Sequence, residues 1–302
     1  MSHLAHLGVS AERDYVAAQT TRRLWPRIAI IAGLVFWLYA SIIFRLLEQW
    51  WADPDFSHGF LVPIFSIFVI WRDRFYLRSL RPKPSWFGFP LLAFSLLILG
   101  IGVLGAELFF SRVSLLLLLA GLVILFLGWN YFRRLLFPWV FLFLMIPIPE
   151  LIFNQVTMPL QTLVSKIAAS VLPLCGVPVL REGNIINLPV LSLEVAEACS
   201  GVRSLVSLIA LAIIFGYLAG GRNWTRIVMA LTAVPIAIIT NSLRIIVTGL
   251  LVQYWDPHRA EGFFHLFSGW LLFVAAIGIL LLVQRVLAYM DRKRGYACGT
   301  EF

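Results

Sequence analysis

The sequence has 302 residues, of which 61% are hydrophobic and only 13% are charged, and its mean hydropathy is +0.90. Ordinary soluble domains carry about twice that share of charge, so the composition excludes a soluble globular protein. It predicts an all-α polytopic membrane protein with room for about eight spans of about 20 residues. The net charge of +9 does not indicate a nucleic-acid partner, because Lys and Arg in membrane-protein loops set orientation instead.

Apolar runs predict eight transmembrane helices, separated by loops that contain charged residues or the breakers Gly and Pro. Their approximate bounds are 28–47, 60–71, 86–105, 113–131, 135–148, 199–219, 225–251 and 264–289. The first run lacks a small-residue cleavage site, so it is interpreted as a retained helix and not as a signal peptide. The second run is short, and its helix is expected to begin before His58 or to be tilted.

The region between the fifth and sixth spans has a different pattern. Residues 151–172 are apolar but include several polar side chains, which is typical of an amphipathic helix that lies on the membrane or packs against the bundle. Residues 180–189 predict a turn between short extended stretches, with Gly183 and Asn184 at its tip, and residues 190–195 predict a returning strand. A small extracytoplasmic hairpin is therefore expected directly before the sixth span.

The positive charges favour one orientation. With the N-terminus on side one, 17 of the 24 Lys and Arg residues fall on that side and five on the other, while Arg203 and Arg244 lie within spans. Arg112 is assigned to an outer turn between the third and fourth spans. By the positive-inside rule, both termini are cytoplasmic. The predicted divisions are a cytoplasmic N-terminal segment (1–27), a single integral membrane domain (28–290) and a cytoplasmic tail (291–302).

This topology places four chemically active residues near the outer ends of three consecutive helices. Cys199 opens the sixth span, Arg244 lies in the outer third of the seventh, and His265 opens the eighth. Arg203 follows Cys199 by four positions, so in a helix it shares a face with the thiol and favours the nucleophilic thiolate. The set predicts acyl transfer, with Cys199 as nucleophile, Arg244 as oxyanion donor and His265 as acid.

Each of these residues also has a structural interpretation. A free cysteine is often buried and inert, and an arginine within a span can pair structurally or extend its head to the interface. His265 is equally compatible with an ordinary interfacial position. The other cysteines are Cys175 and Cys298, and no two of the three have CxxC spacing. Neither a metal site nor a cofactor is therefore predicted.

Three further residues are candidates for substrate binding or tuning. Asn241 lies one turn before Arg244, where it either orients the guanidinium or makes a plain interhelical hydrogen bond. Glu197 either attracts a cationic substrate segment, orients His265 or is simply solvated. His58 lies in an outer loop, where it either helps to form the entrance, binds the substrate or has a structural role.

Four stretches together resemble the exosortase/archaeosortase family of membrane transpeptidases, over about residues 28–289. They are residues 197–205 (EACSGVRSL), residues 241–245 (NSLRI), His265 with Gly269, and residues 56–63 (FSHGFLVP). The resemblance implies that Cys199, Arg244 and His265 are catalytic and that no cofactor takes part.

The resemblance also implies a location, a substrate and partners. The site would face the periplasm from the inner membrane of a Gram-negative bacterium. It would cleave membrane-anchored proteins that carry a C-terminal sorting signal of the PEP-CTERM kind, through a thioester, and transfer them to a glycan, a lipid or water. Two alternatives remain open: a polytopic transporter, suggested by Arg244 and Pro235 in one span, and a non-catalytic accessory subunit of exopolysaccharide assembly.

Overall fold

The computed structural model describes residues 26, 29–194, 202–220, 223–254 and 263–293, which form a bundle of helices with one small sheet. The helices are α1 (Ala29–Ala52), α2 (Leu61–Arg72), α3 (Arg74–Ser79), α4 (Gly88–Leu104), α5 (Leu108–Phe126), α6 (Trp129–Phe141), α7 (Glu150–Val171), α8 (Val202–Leu218), α9 (Asn223–Tyr254) and α10 (Phe263–Lys293). Short 3-10 helices cover Pro54–Phe60, Leu142–Met145 and Leu172–Cys175, and the strands are β1 (Leu180–Glu182), β2 (Ile185–Asn187) and β3 (Ser192–Glu194).

Five helices within the described residues are long and apolar enough to cross a membrane, namely α1, α5, α7, α9 and α10. Three shorter apolar helices, Phe56–Arg72, Gly88–Leu104 and Leu205–Leu218, correspond to the predicted second, third and sixth spans. The 3-10 helix Pro54–Phe60 leads directly into α2, so helical structure begins before His58, which is one of the two predicted alternatives. A polytopic helical membrane protein is thus confirmed, whereas the count of eight spans and the orientation stay predictions.

The segment that was predicted to be amphipathic, 151–172, is helical as expected, but it is also long enough to span a membrane (Leu151–Cys175). The predicted fifth span, 135–148, corresponds to α6 and the following 3-10 helix, and it is not among the helices of spanning length. Sequence periodicity therefore identifies the helix at 151–172, while its position relative to the membrane stays a prediction.

The turn between α5 and α6 lies about five residues earlier than the sequence predicts. Gly128 adopts a φ of 90°, a left-handed conformation that favours glycine. A Cβ at this position would collide with the carbonyl oxygen of Lys83, so a contact distant in sequence fixes the turn. As a result, Arg133 and Arg134 lie within α6 and not in a loop before it.

The prediction that Arg112 lies in an outer turn is wrong. The carboxylate of Glu107 caps α5 by accepting a hydrogen bond of 3.4 Å from the backbone N–H of Phe109, so the helix begins at Leu108. Arg112 therefore lies in the second turn of α5, and only 3% of its surface is exposed.

The hairpin predicted around Gly183 and Asn184 is present, and a third strand extends it. β1 pairs antiparallel with β2, with Glu182 opposite Ile185 across the turn, and β2 pairs antiparallel with β3. The hydroxyl of Ser165 in α7 donates a hydrogen bond of 3.0 Å to the carbonyl of Gly183. The sheet is therefore held against α7 before the chain reaches α8.

The last three helices pack against one another: α8 against α9, and α10 against both. Their shared core includes Leu208, Ala212, Met229, Ala233, Ala276 and Leu280, all almost fully buried. The hydroxyl of Thr225 at the start of α9 donates a hydrogen bond of 3.0 Å to the carboxylate of Asp291 near the end of α10. The helices predicted to carry the reactive side chains are thus neighbours.

Candidate active site

The structure describes the predicted site residues unequally. Cys199 and Glu197 fall in the gap 195–201, outside the described residues. Arg203 and His265 lie in the first turns of α8 and α10, and their backbone positions alone are described. The geometry of the site therefore rests on the α9 residues and on the surfaces that they contact.

Arg244 reaches from α9 to the backbone of α10. A Cβ added at Gly269 would lie 3.1 Å from both Cζ and Nη2 of Arg244 and 3.5 Å from its Nη1. A side chain at position 269 would therefore press on the guanidinium, which would have to shift by a few tenths of an ångström. Arg244 precedes Tyr254, the last residue of α9, by ten positions, which corresponds to about 15 Å along the helix.

A small cavity surrounds this contact at the junction of α8, α9 and α10. It is lined by Leu208 of α8, by Thr240, Asn241 and Arg244 of α9, and by Gly269, Leu272, Phe273 and Ala276 of α10. Asn241 is 6% exposed, and its Nδ2 has no hydrogen-bond partner within the described part of the chain. A buried donor in that state costs about 1–3 kcal/mol, which is tolerated more often at functional sites than in a packed core.

The backbone positions of His265 and Arg203 lie at the same end of the three-helix junction. His265 precedes Gly269 by four positions in α10, about one helical turn or 6 Å along the axis. Arg203 is the second residue of α8, and Leu208, five positions later, lines the cavity of Arg244. The helices that carry the three residues thus meet around Arg244.

His58 lies in a different place. Its Nε2 is 3.2 Å from the carbonyl oxygen of Leu144, and because a carbonyl only accepts, Nε2–H is the donor. The imidazole forms part of the wall of an apolar cavity of about 420 Å³. The other lining residues are Phe56, Phe137, Val140, Phe141, Phe143, Leu144, Ile146, Ile148, Phe153, Val206 and Ile213.

α8 separates the cavity of His58 from that of Arg244. Val206 and Ile213 line the apolar cavity, whereas Leu208 lines the small cavity of Arg244. Positions 206 and 208 are about 200° apart around a helix of 3.6 residues per turn, so the two cavities lie on opposite faces of α8. The structure does not bring His58 to Arg244, and its bond to Leu144 supports the structural interpretation.

Sequence reasoning missed the way in which Gly269 and Thr240 take part. Gly269 was noted only as a member of a motif, although it provides the surface on which the Arg244 guanidinium lies. The sequence feature that could have revealed this role is a glycine one helical turn after His265, within a run of bulky residues. Thr240 lines the cavity but donates a hydrogen bond of 2.8 Å to the carbonyl of Ile236 in its own helix, and no sequence pattern singled it out.

Residues 50–282 match the model of the transmembrane exosortase family (Exosortase_EpsH). The chain belongs to this family. Exosortases are membrane cysteine peptidases and transpeptidases, and the matched range includes the positions of Cys199, Arg244 and His265. The resemblance identified from the sequence motifs is thus confirmed for the family, and no curated protein and no solved structure matches this exosortase.

Proposed function

We propose that this exosortase cleaves a C-terminal sorting signal from membrane-anchored exported proteins and transfers the shortened protein to an acceptor. The observation that carries the proposal is the placement of the Arg244 guanidinium against Gly269, where α8, α9 and α10 meet. A cation that is positioned by its surroundings stabilises negative charge that develops in a transition state better than a mobile surface cation does.

The first half of the proposed reaction forms a thioester on Cys199. Its thiolate, favoured by the positive charge of Arg203 four positions later, attacks the carbonyl carbon of the scissile peptide bond. The new C–S bond leaves an oxyanion, to which Arg244 donates hydrogen bonds. The oxyanion collapses, the C–N bond breaks, and protonated His265 gives its proton to the leaving amine.

The second half releases the product. His265, now neutral, removes a proton from the acceptor, whose oxygen or nitrogen attacks the thioester carbonyl. The C–S bond breaks and restores the Cys199 thiolate. Water as acceptor gives simple proteolysis, whereas a hydroxyl or amine of a glycan or lipid gives covalent attachment. The positive-inside rule supports an outward-facing position for this end of the bundle, which in this proposal is the periplasmic face of the inner membrane.

Processing of a tagged substrate tests the proposal. The exosortase is coexpressed with a protein that carries a C-terminal sorting signal, and the shortened product is followed by immunoblot. Cys199→Ala and His265→Ala are expected to abolish the product while the enzyme remains inserted in the membrane. Cys175→Ala is the matched control and should process normally. Undiminished cleavage by the Cys199→Ala variant would refute the proposal.

Thiol labelling tests the orientation separately. Cys175 is exposed and free, so it is first replaced by alanine together with Cys298. A membrane-impermeant maleimide added to the periplasmic side is then expected to label Cys199, since a thiolate at the outer surface reacts readily. Labelling only after the cytoplasmic side is opened would contradict the proposed orientation. Mass spectrometry of the new C-terminus of a processed substrate identifies the acceptor.

A further inference from the structure

A cluster of arginines surrounds Tyr217 at the end of the bundle remote from Arg244, and we propose that this arginine cluster binds the headgroup of an anionic phospholipid. Its cations are Arg72 of α2, Arg134 of α6 and Arg226 of α9. Arg226 precedes Arg244 by eighteen positions in the same helix, about 27 Å along its axis. The proposed lipid site is therefore independent of the proposed peptidase site.

Two guanidinium groups share the ring of Tyr217. The Cζ atom of Arg72 lies 4.4 Å from the ring centroid, and that of Arg226 lies 5.1 Å from it. The two Cζ atoms are therefore at most 9.5 Å apart, the sum of these distances. Tyr217 itself is only 6% exposed and stacks on Phe137 with ring centroids 4.8 Å apart, so both guanidinium groups lie against one packed ring.

The described residues supply less negative charge than the cluster requires. Asp73 accepts an ion pair of 2.8 Å from Arg134 Nε, while Arg72 Nε is 4.0 Å from its other oxygen. Asp291 is bonded to Thr225 and makes no ion pair with the cluster among the described residues. Three guanidinium groups thus face one carboxylate, which leaves an excess of two positive charges.

Arg226 adds a second indication that an anion is expected. Its Nε is buried and has no hydrogen-bond partner in the described part of the chain. The ring of Tyr217 stabilises the charge through its π electrons but does not accept a hydrogen bond in the plane of the guanidinium. A phosphate oxygen would neutralise charge and accept such bonds from more than one guanidinium.

Exposed aromatic residues beside the cluster place it at the level of lipid headgroups. α3 has no buried residue, and Phe75, Tyr76 and the preceding Trp71 are all exposed. The Cζ of Arg74 lies 4.2 Å from the ring of Trp71, and that of Arg134 lies 4.7 Å from the ring of Tyr76. Tryptophan, tyrosine and arginine in such mixtures are typical of the membrane–water interface.

This setting favours a phospholipid over free phosphate. Basic sites between transmembrane helices bind anionic headgroups, and the neighbouring apolar helix surface is available to acyl chains. Ile67 and Ile70 of α2 are exposed directly before Arg72. Inorganic phosphate would engage the arginines but gain nothing from that surface, so the two ligands are expected to differ in affinity.

Lipid binding by the full-length purified protein tests the proposal. Native mass spectrometry measures the binding of phosphatidylglycerol, with phosphatidylcholine of the same acyl chains and inorganic phosphate as comparison ligands. The double variant Arg72→Gln/Arg226→Gln is expected to bind phosphatidylglycerol about thirtyfold more weakly, from about fivefold for each arginine near a lipid surface. The matched control Arg78→Gln/Arg133→Gln removes the same charge from the same end of the bundle and is expected to lose much less affinity, because neither residue belongs to the arginine cluster.

Three results would overturn the proposal: equal weakening in the two double variants, equal affinity for both phospholipids, or inorganic phosphate binding as tightly as phosphatidylglycerol. If the double variant does not fold, Arg72→Gln alone is used, because the Arg72 side chain is 44% exposed and contributes little to the core. Its expected loss is about fivefold, against no change for Arg78→Gln. Substrate processing is assayed in parallel, because the lipid-binding result does not depend on whether the proposed peptidase activity is observed.

Discussion

The two faces of α8 border cavities of opposite character. On one face, Val206 and Ile213 line about 420 Å³ of apolar space, and His58, the one polar side chain among its described lining residues, is bonded through Nε2 to a backbone carbonyl. On the other face, Leu208 and Arg244 are among the residues that line a much smaller cavity. Helix α8 therefore separates the large apolar cavity from the Arg244 guanidinium. In the proposed mechanism the positioned cation belongs to the Arg244 face, whereas the lining of the other face is mainly apolar.

The largest expected effect is that of replacing Arg244 by lysine. An ammonium keeps the charge but does not reproduce the planar fork of donors, and loss of an oxyanion donor typically costs about 10²–10³ in kcat. Processing of a sorting-signal substrate is therefore expected to fall by at least about a hundredfold. The control is Arg285→Lys, at an exposed position of α10, which should process normally. Normal processing by the Arg244→Lys variant would contradict the claim that the Arg244 face of α8 provides the oxyanion donor.

An intermediate effect is expected when Gly269 is replaced by alanine. The added Cβ would lie 3.1 Å from Cζ and Nη2 of Arg244, so the guanidinium has to shift by a few tenths of an ångström. Small displacements of a catalytic group cost about ten- to a hundredfold in rate, and we expect kcat to fall with little change in KM.

Gly278 provides the matched control in the same helix. A Cβ at that position would meet no atom within 4 Å, so Gly278→Ala removes the same backbone freedom without touching Arg244. If the two glycine variants lose equal activity, the effect comes from helix α10 itself and not from the position of the guanidinium.

The smallest effect on chemistry is expected for His58. His58→Phe removes the hydrogen bond to the carbonyl of Leu144, which should lower the free energy of unfolding by about 1 kcal/mol. His58→Gln retains a donor and is expected to recover part of that loss. Thermal unfolding in detergent measures both, and processing per folded molecule should stay near the wild-type value. A hundredfold loss of processing in a stable His58→Phe protein would show that the apolar face takes part in the reaction.

Sequence patterns predicted the elements of this fold where local chemistry decides them. Long apolar runs mark the helices, and Gly183 with Asn184 marks the hairpin that the structure contains. The helix boundary at Gly128 was missed, because the collision that excludes other residues there involves Lys83, 45 positions earlier. Arg112 was assigned to a turn because the sequence does not clearly show that α5 begins at Leu108. The cap at Glu107 is a single residue, and it is a weak indication of a helix start next to a continuous apolar run.

The sequence singled out candidate residues, and their roles stay predictions, whereas the surroundings of Arg244 were not predicted. An arginine within a span is costly and indicates function by default, which singled out Arg244. The surface that holds its guanidinium is a glycine on the next helix, and glycine leaves no hydropathy signal. His58 was kept as a candidate because the sequence does not reveal that its ring is bonded to Leu144 on the far side of α8.

The most direct test of the proposed mechanism is a search for the thioester on Cys199. A Cys175→Ala/Cys298→Ala enzyme is incubated with a sorting-signal substrate, quenched in acid, and examined by intact-mass spectrometry and peptide mapping. The proposed mechanism predicts an adduct on Cys199 with the mass of the substrate lacking its C-terminal signal, and hydroxylamine should remove that adduct. Continued processing in a Cys199→Ala enzyme, with no adduct on the parent protein, would contradict it.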